Sequence, residues 1–276
     1  MQEISFTKMV ASGNDFIIID RSEIRNPKSE IRNPDLAKQL CQRKLFVGAD
    51  GLLLIEPSKK ADFKMRVFNP DGSEVDMCGN GARCVALYAA KKRICAAKMV
   101  IETRAGNLEA EVKQDKVKLK MSRPKDLRLR FNLDVDGQTQ NANYINTGVP
   151  HLVSFLERLG GFNVIDAGKA IRYHSEFQPE GTNADFVQVL DKDHIALRTY
   201  ERGVEEETLA CGTGAVAASI ITAYEMEEKP QGRYKIEVNT QSGETLTVYF
   251  KIKEDKIDEV FLEGKAKIVY KGGLYV

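Results

Sequence analysis

CGNGARCVALYAA at 78–90 and CGTGAVAASIITAY at 211–224 decide how this chain is read. Each stretch opens with Cys-Gly-X-Gly-Ala and runs straight into an alanine-rich, apolar segment of helical character. The likeness extends outward. Before the cysteines, MRVFNPDGSEVDMC (65–78) parallels LRTYERGVEEETLAC (197–211), each with an aromatic residue ten or eleven positions ahead of the thiol and acidic residues between. After them, IETRAGNLEAEV (101–112) parallels EVNTQSGETLTVYF (237–250), both reading as two short strands around a glycine turn. Upstream, GNDFIIID (13–20) and VPHLVSFL (149–156) each set a polar residue before an apolar run. The chain therefore consists of two homologous halves, each contributing one cysteine.

The 276 residues suit two domains better than one core. The charged, polar stretch SRPKDLRLRFNLDVDGQTQN, with Pro124 and Gly137 as breakers, marks the passage between them. The expected division is 1–122 plus 265–276 for the half carrying Cys78, with KAKIVYKGGLYV returning to it as a strand, and 123–264 for the half carrying Cys211. Alternation at Leu108, Ala110, Val112 and again at Val117, Leu119, Met121 predicts a hairpin, and Leu246, Val248, Phe250 repeat the pattern. ARCVALYAAKK reads as an amphipathic helix. AVAASIITAY is apolar nearly all round and reads as a buried central helix.

With 41 basic and 40 acidic residues the net charge is +1, which favours neither a nucleic-acid partner nor a membrane surface and points to a small molecule. No window is apolar for long enough to span a membrane, and MQEISFTK lacks the core of a signal peptide, so a cytoplasmic protein is expected. Five cysteines in a chain of this length do not form a disulfide framework. SEIRNP at 22–27 recurs at 29–34, a short tandem duplication expected in an exposed loop.

A cysteine at a strand-to-helix junction has chemical consequences. The first-turn amides are unpaired and the helix dipole favours negative charge, so the same end can lower a thiol pKa and bind a carboxylate. Glycines permit close approach of the backbone to a ligand. Two such ends would suit a proton transfer at one carbon, one thiolate removing the α-proton and a thiol delivering another to the opposite face.

ASGNDFIIID (11–20), FNPDGSEVDMCGNGARC (68–84), NTGVPH (146–151), GTNADF (181–186) and YERGVEEETLACGTGA (200–215) together resemble the diaminopimelate epimerase family, in order and over nearly the whole chain. The resemblance implies an α/β (α+β) fold of two pseudosymmetric domains, each a curved mixed sheet or barrel around a central helix. It implies interconversion of LL- and meso-2,6-diaminopimelate, in lysine and cell-wall precursor biosynthesis, with no cofactor (neither pyridoxal phosphate nor metal) and with Cys78 and Cys211 as acid and base. It assigns Gly79, Asn80, Gly212 and Thr213 to the reacting end of the substrate, and Asn14, Asn69, Asn183 and Arg202 to holding the rest. His151 and Glu201 lie close to the thiols and the reacting amino group, and a homodimer is implied. Val149 and Gly51 stand where some members carry Asn and Gln, two side-chain hydrogen bonds fewer.

Other readings bear on the same residues. A paired-cysteine enzyme of the proline racemase kind would act on a smaller, one-carboxylate substrate and would not need Arg202 and the asparagines. A redox or metal-binding thiol protein leaves the matched glycines unexplained, and Cys78 and Cys84 fit no CxxC spacing. Cys41, Cys84 and Cys95 have no matched partner and read as packing residues. Asn69 and Asn183 could also be turn residues bonded to their own backbone.

Overall fold

The computed structural model describes residues 3–23, 33–135 and 137–275. Most of the SEIRNP duplication lies outside them. The chain separates into two compact units, Met1–Leu119 with Gly264–Val276, and Lys120–Glu263.

The first unit contains β1 (Glu3–Ala11), β2 (Asn14–Asp20), α1 (Asn33–Leu40), β3 (Gly51–Glu56), β4 (Phe63–Phe68), β5 (Glu74–Val75), α2 (Gly79–Lys92), β6 (Lys98–Thr103), β7 (Gly106–Lys113) and β8 (Lys116–Lys120). The second contains β9 (Lys125–Val135), β10 (Gln138–Asn146), β11 (Pro150–Phe155), α3 (Val164–Arg172), β12 (Asn183–Asp191), β13 (His194–Glu201), β14 (Glu206–Thr208), α4 (Gly212–Met226), β15 (Gly232–Thr240), β16 (Thr245–Lys253) and β17 (Lys256–Lys265). The last strand, β18 (Lys267–Tyr275), pairs antiparallel with β1.

The repeat seen in the sequence becomes a repeat of strand pairing. In the first unit β1–β2 is antiparallel, β2–β3 parallel, β3–β4 and β4–β5 antiparallel, β4–β6 parallel, and β6–β7 and β7–β8 antiparallel. In the second, β10–β11 is antiparallel, β11–β12 parallel, β12–β13 and β13–β14 antiparallel, β13–β15 parallel, and β15–β16 and β16–β17 antiparallel. Helix for helix, α1 matches α3 and α2 matches α4. The outer neighbour of β1 is β18, whereas that of β10 is β9.

The parallel pairs β2–β3 and β11–β12 are covered by helices on both faces, which explains the unbroken apolar runs III (17–19) of β2 and LLLI (52–55) of β3. Ile17, Ile19, Leu52 and Leu54 pack with Leu36, Ala37 and Leu40 of α1. In the second unit Leu152, Ala184 and Phe186 pack toward Val164 and Ile171 of α3, while Val153 and Val187 join the core around α4. Residues two apart on a strand share a face. His151 and Asp185 therefore lie on the α4 side.

α4 is buried on every side from Gly214 to Tyr224, as its composition predicts. Ile220 is fully buried among Val153, Val187, Ile236 and Val248. Ile220→Ala is expected to cost about 2–5 kcal/mol, read as a lower urea midpoint at constant slope. α2 departs from the amphipathic reading, because it too is buried from Asn80 to Ala89, Arg83 included. Arg83 tolerates this by donating to Ser12 Oγ at 2.7 Å, Asn80 Oδ1 at 2.6 Å and the Lys265 carbonyl at 3.3 Å. α2 ends at Arg93, in the left-handed region at φ 59°, with its N–H and that of Ile94 returned to Ala90 and Ala89. Among the described residues no helix is long and apolar enough to cross a membrane.

Candidate active site

Cys78 and Cys211 are N-caps of α2 and α4. Both are extended, at φ −138° and ψ 117° and at φ −112° and ψ 114°. Each Sγ accepts the backbone N–H of the third glycine-motif residue after it, Gly81 or Gly214, at 3.4 Å. Sulfur here occupies the capping role that serine or aspartate oxygen fills elsewhere. α1 and α3 carry Asp35 and Asp166 in their first turns, whereas α2 and α4 have no acidic residue there. Neither helix therefore offsets its positive end with an acidic side chain of its own first turn.

In the first unit Asn14, at the start of β2, accepts at Oδ1 from Asn80 Nδ2 at 2.6 Å. Gly79 opens α2 with nothing within 4 Å of where a Cβ would stand, so that backbone is approachable. Asn69 closes the turn after β4: its N–H bonds Ser73 O, its carbonyl accepts from Gly72, and its Nδ2 reaches Ser73 Oγ at 3.0 Å. It therefore carries a turn role as well as its place beside the motif. Gly51 is enclosed, since an added Cβ would stand 3.1 Å from Phe68 O and 3.4 Å from the Phe16 ring.

The second unit is more polar. Cys211 is 6% exposed and has the Thr213 hydroxyl 3.4 Å from its sulfur, with Thr213 O accepting from Thr147 Oγ1 at 3.0 Å. Asn183 is locked from both ends, donating to Pro150 O and accepting the Arg202 N–H, each at 2.8 Å. Arg202 also donates from Nη1 to Glu180 O at 3.0 Å. Gly212 is the first residue of α4.

Behind these residues lies a group absent from the sequence reading. Asp185, 1% exposed, meets His151 Nδ1 at 2.6 Å through Oδ2 and accepts the Thr199 hydroxyl at 2.6 Å through Oδ1. An ionised carboxylate only accepts, so Nδ1 carries the proton. His151 is fully buried, and its Nε2 has no hydrogen-bond partner among the described residues. Register shows what Asp185 replaces. Asp185 faces Thr199 across β12–β13, and at the matching place on β3–β4 Leu53 faces Val67. A Cβ on Gly81 would meet Leu53 Cδ2 at 3.1 Å; one on Gly214 would meet Asp185 Oδ1 at 2.5 Å. The two units share a frame, but at this register position the first has a leucine and the second a buried carboxylate. The available signal is a lone acid in the apolar run ADFV.

Burial pushes the Cys211 thiol well above its ordinary value, and the negative charges of Glu201 and Asp185 push the same way. The Thr213 and Gly214 hydrogen bonds oppose this without overcoming it. At Cys211 burial and the two carboxylates therefore work against the lowering that a helix end favours. Burial likewise raises Glu201, with His151 opposing and Asp185 adding. In the substrate-free protein, alkylation of Cys211 by iodoacetamide is expected to keep accelerating above pH 8.5, the ordinary thiol value of about 8.5 being exceeded. Glu201→Gln should shift that profile to lower pH by removing a neighbouring negative charge; an unshifted profile would show that the charge is not felt at the sulfur. Cys41 and Cys84 are buried core residues, and burial raises Cys41 to about 11.

Comparison with known proteins identifies the family. The family described as diaminopimelate epimerase matches residues 6–126 and 143–269. The diaminopimelate epimerase of Aquifex aeolicus is 43% identical over 98% of this chain and 98% of its own length. That of Archaeoglobus fulgidus is 44% identical over 79% of this chain and 81% of its own. In fold, the chain is similar to a Bacillus anthracis phenazine biosynthesis protein of the PhzF family, with TM-score 0.73 at 19% identity and full coverage of both chains. It is similar also to a probable proline racemase from Agrobacterium radiobacter, with TM-score 0.69 at 16% identity over 99% of this chain and 93% of that one. Two capped cysteines on a duplicated frame, and relatives this close along nearly the whole sequence, place the chain in the diaminopimelate epimerase family.

Proposed function

We propose that this protein is an isomerase that interconverts LL- and meso-2,6-diaminopimelate, with Cys78 and Cys211 exchanging a proton at one α-carbon. The observation that carries the reading is the matched pair of N-cap cysteines, each with its sulfur 3.4 Å from the same motif amide. One sulfur, as thiolate, takes the α-proton; the carbanion then takes a proton from the other thiol, and reversal exchanges the roles. An α-hydrogen beside a carboxylate is a very weak acid, so the developing charge needs fixed donors. The amides at Gly79, Asn80, Gly212 and Thr213 supply them, at about 3 kcal/mol for each well-placed donor.

Asn14, Asn69, Asn183 and Arg202 hold the rest of the substrate, the guanidinium suiting the distal carboxylate. His151 and Glu201 stand near the reacting amino group. A substrate ammonium ion near Cys211 would favour the thiolate that burial alone disfavours. The same reading includes catalysis without pyridoxal phosphate or metal, a cytoplasmic location and a homodimer, the last testable by analytical ultracentrifugation.

Incubating LL-diaminopimelate with the reduced protein in deuterated water should give α-deuterium incorporation and a drift toward the meso isomer. If neither occurs, the substrate assignment is wrong.

A further inference from the structure

One ion pair occurs twice, once in each unit. Arg66 of β4 donates from Nε and Nη2 to Oε1 and Oε2 of Glu74 on β5, both at 2.8 Å. Arg198 of β13 donates from the same two nitrogens to Oε1 and Oε2 of Glu207 on β14, both at 2.7 Å. The register matches as well. Each carboxylate belongs to the residue opposite the second position after its arginine, Glu74 against Phe68 and Glu207 against Tyr200. Four residues after each glutamate comes the cysteine, Cys78 or Cys211.

The two forks persist where their surroundings differ. Phe68 is joined to Glu74 through 69–73, whereas Tyr200 is joined to Glu207 through 201–206, one residue more. Next to the arginines, Leu53 and Val67 of the first unit give way to Asp185 and Thr199 in the second. The remaining nitrogen, Nη1, takes a different acceptor in each unit: Glu56 Oε1 at 3.5 Å for Arg66, and the carbonyls of Leu159 and Phe162 at 3.1 and 2.9 Å for Arg198.

The strands so held are short. β5 joins β4 through two residue pairs and β14 joins β13 through three. One backbone bond steadies each run toward the thiol, from Ala105 N–H to Asp76 O at 3.3 Å and from Ser242 N–H to Leu209 O at 2.9 Å. In the first unit Arg104 also reaches Glu74 and Asp76, at 3.3 and 3.0 Å. So few ladder bonds leave a segment prone to local opening. A bidentate arginine–carboxylate pair fixes orientation as well as distance. The four side chains are 17 to 25% exposed, so solvent and salt screen them less than a surface pair.

We propose that Arg66–Glu74 and Arg198–Glu207 are positioning pairs, each setting where the cysteine sulfur of its own unit stands. The duplicated frame thereby delivers its two thiols from equivalent places. The placement of the sulfurs does not depend on what the substrate is, whereas the consequence for turnover rests on the diaminopimelate reading.

The test reads each cysteine separately, by peptide mass spectrometry after iodoacetamide treatment of the substrate-free protein at about pH 8. Glu207→Gln and Arg198→Lys are each expected to speed alkylation of Cys211 about tenfold while Cys78 stays within about twofold, and Glu74→Gln and Arg66→Lys to do the reverse. Glutamine removes a negative charge, which by itself favours a thiolate, but lysine keeps the charge and loses the fork. An effect of geometry therefore appears in both kinds of variant. Should Arg198→Lys fail to fold, Glu207→Asp, which keeps the charge and shortens the reach, takes its place. General loosening is read from Cys41 and Cys84, buried in the first unit, and from amide exchange along the buried part of α4 in the second. Acceleration confined to the cysteine of the altered unit, with those signals steady, supports the proposal. No acceleration, acceleration in the glutamine variants alone, or acceleration matched by general loosening overturns it. Each variant should also lower kcat for diaminopimelate about tenfold, and a wild-type kcat alongside a shifted thiol reactivity ends the positioning role. Absence of turnover in the wild type ends the substrate reading instead, and leaves the alkylation pattern to decide the forks.

Discussion

Cys78→Ala and Cys211→Ala are each expected to lower turnover of diaminopimelate by at least about 10³-fold, near the upper range for loss of a positioned acid or base. The fold should survive, because the sulfur hydrogen bonds at each cap are weak and the helices behind are held by burial. Their loss costs about 0.5–2 kcal/mol. The two variants should differ in one respect. With a single sulfur left, removal of the α-proton from one isomer can persist, so slow deuterium exchange into that isomer without epimerisation is expected, and the favoured isomer should be opposite in the two proteins. Substantial epimerisation surviving either substitution, in a folded sample, removes the two-thiol assignment.

The second large effect is expected at Asp185. Asp185→Leu makes the second unit resemble the first, where Leu53 holds the corresponding place. Leucine is of similar size, so the frame should persist. It leaves Thr199 Oγ1 and His151 Nδ1 buried without their partner, at about 1–3 kcal/mol each. The imidazole then loses the bond that sets its tautomer and rotation, and turnover should fall by about 10²–10⁴-fold, as expected when a carboxylate orienting a catalytic imidazole is lost. The distinguishing readout is the nitrogen NMR of His151, which should move from one tautomer to a mixture. Turnover within about threefold of wild type, or an unmoved histidine signal, would show that Asp185 serves packing alone. Asp185→Asn separates charge from shape, because its amide can still hold Thr199 while offering His151 either a donor or an acceptor.

Much of the fold was legible because the duplication offers two samples of one pattern. Where GNDFIIID and VPHLVSFL agree, chance is removed, and the matching parallel pairs follow. The site was legible where a residue type is unusual for its surroundings, as with cysteine before two glycine-containing turns. α2 was read as amphipathic because periodicity assigns its charges to a solvated face, whereas tertiary partners remote in sequence, Ser12 and the Lys265 carbonyl, help make the burial of Arg83 tolerable. Asp185 was overlooked because its importance lies in strand register, which no single segment reveals. The Cys211 thiol was expected to be acidified by its helix, but the magnitude of desolvation depends on how completely the chain closes over it.

The strand that flanks β1 has a consequence for biogenesis. β10 finds its outer partner in β9, which a ribosome makes just before it, but β1 must wait for β18, which is made after every strand of the second unit. Every strand of the second unit is available before the first unit has its full complement. The usual order of vectorial folding, earliest-made first, is therefore inverted here. The nascent Cys78 half keeps an unpaired β1 edge until β18 has been made.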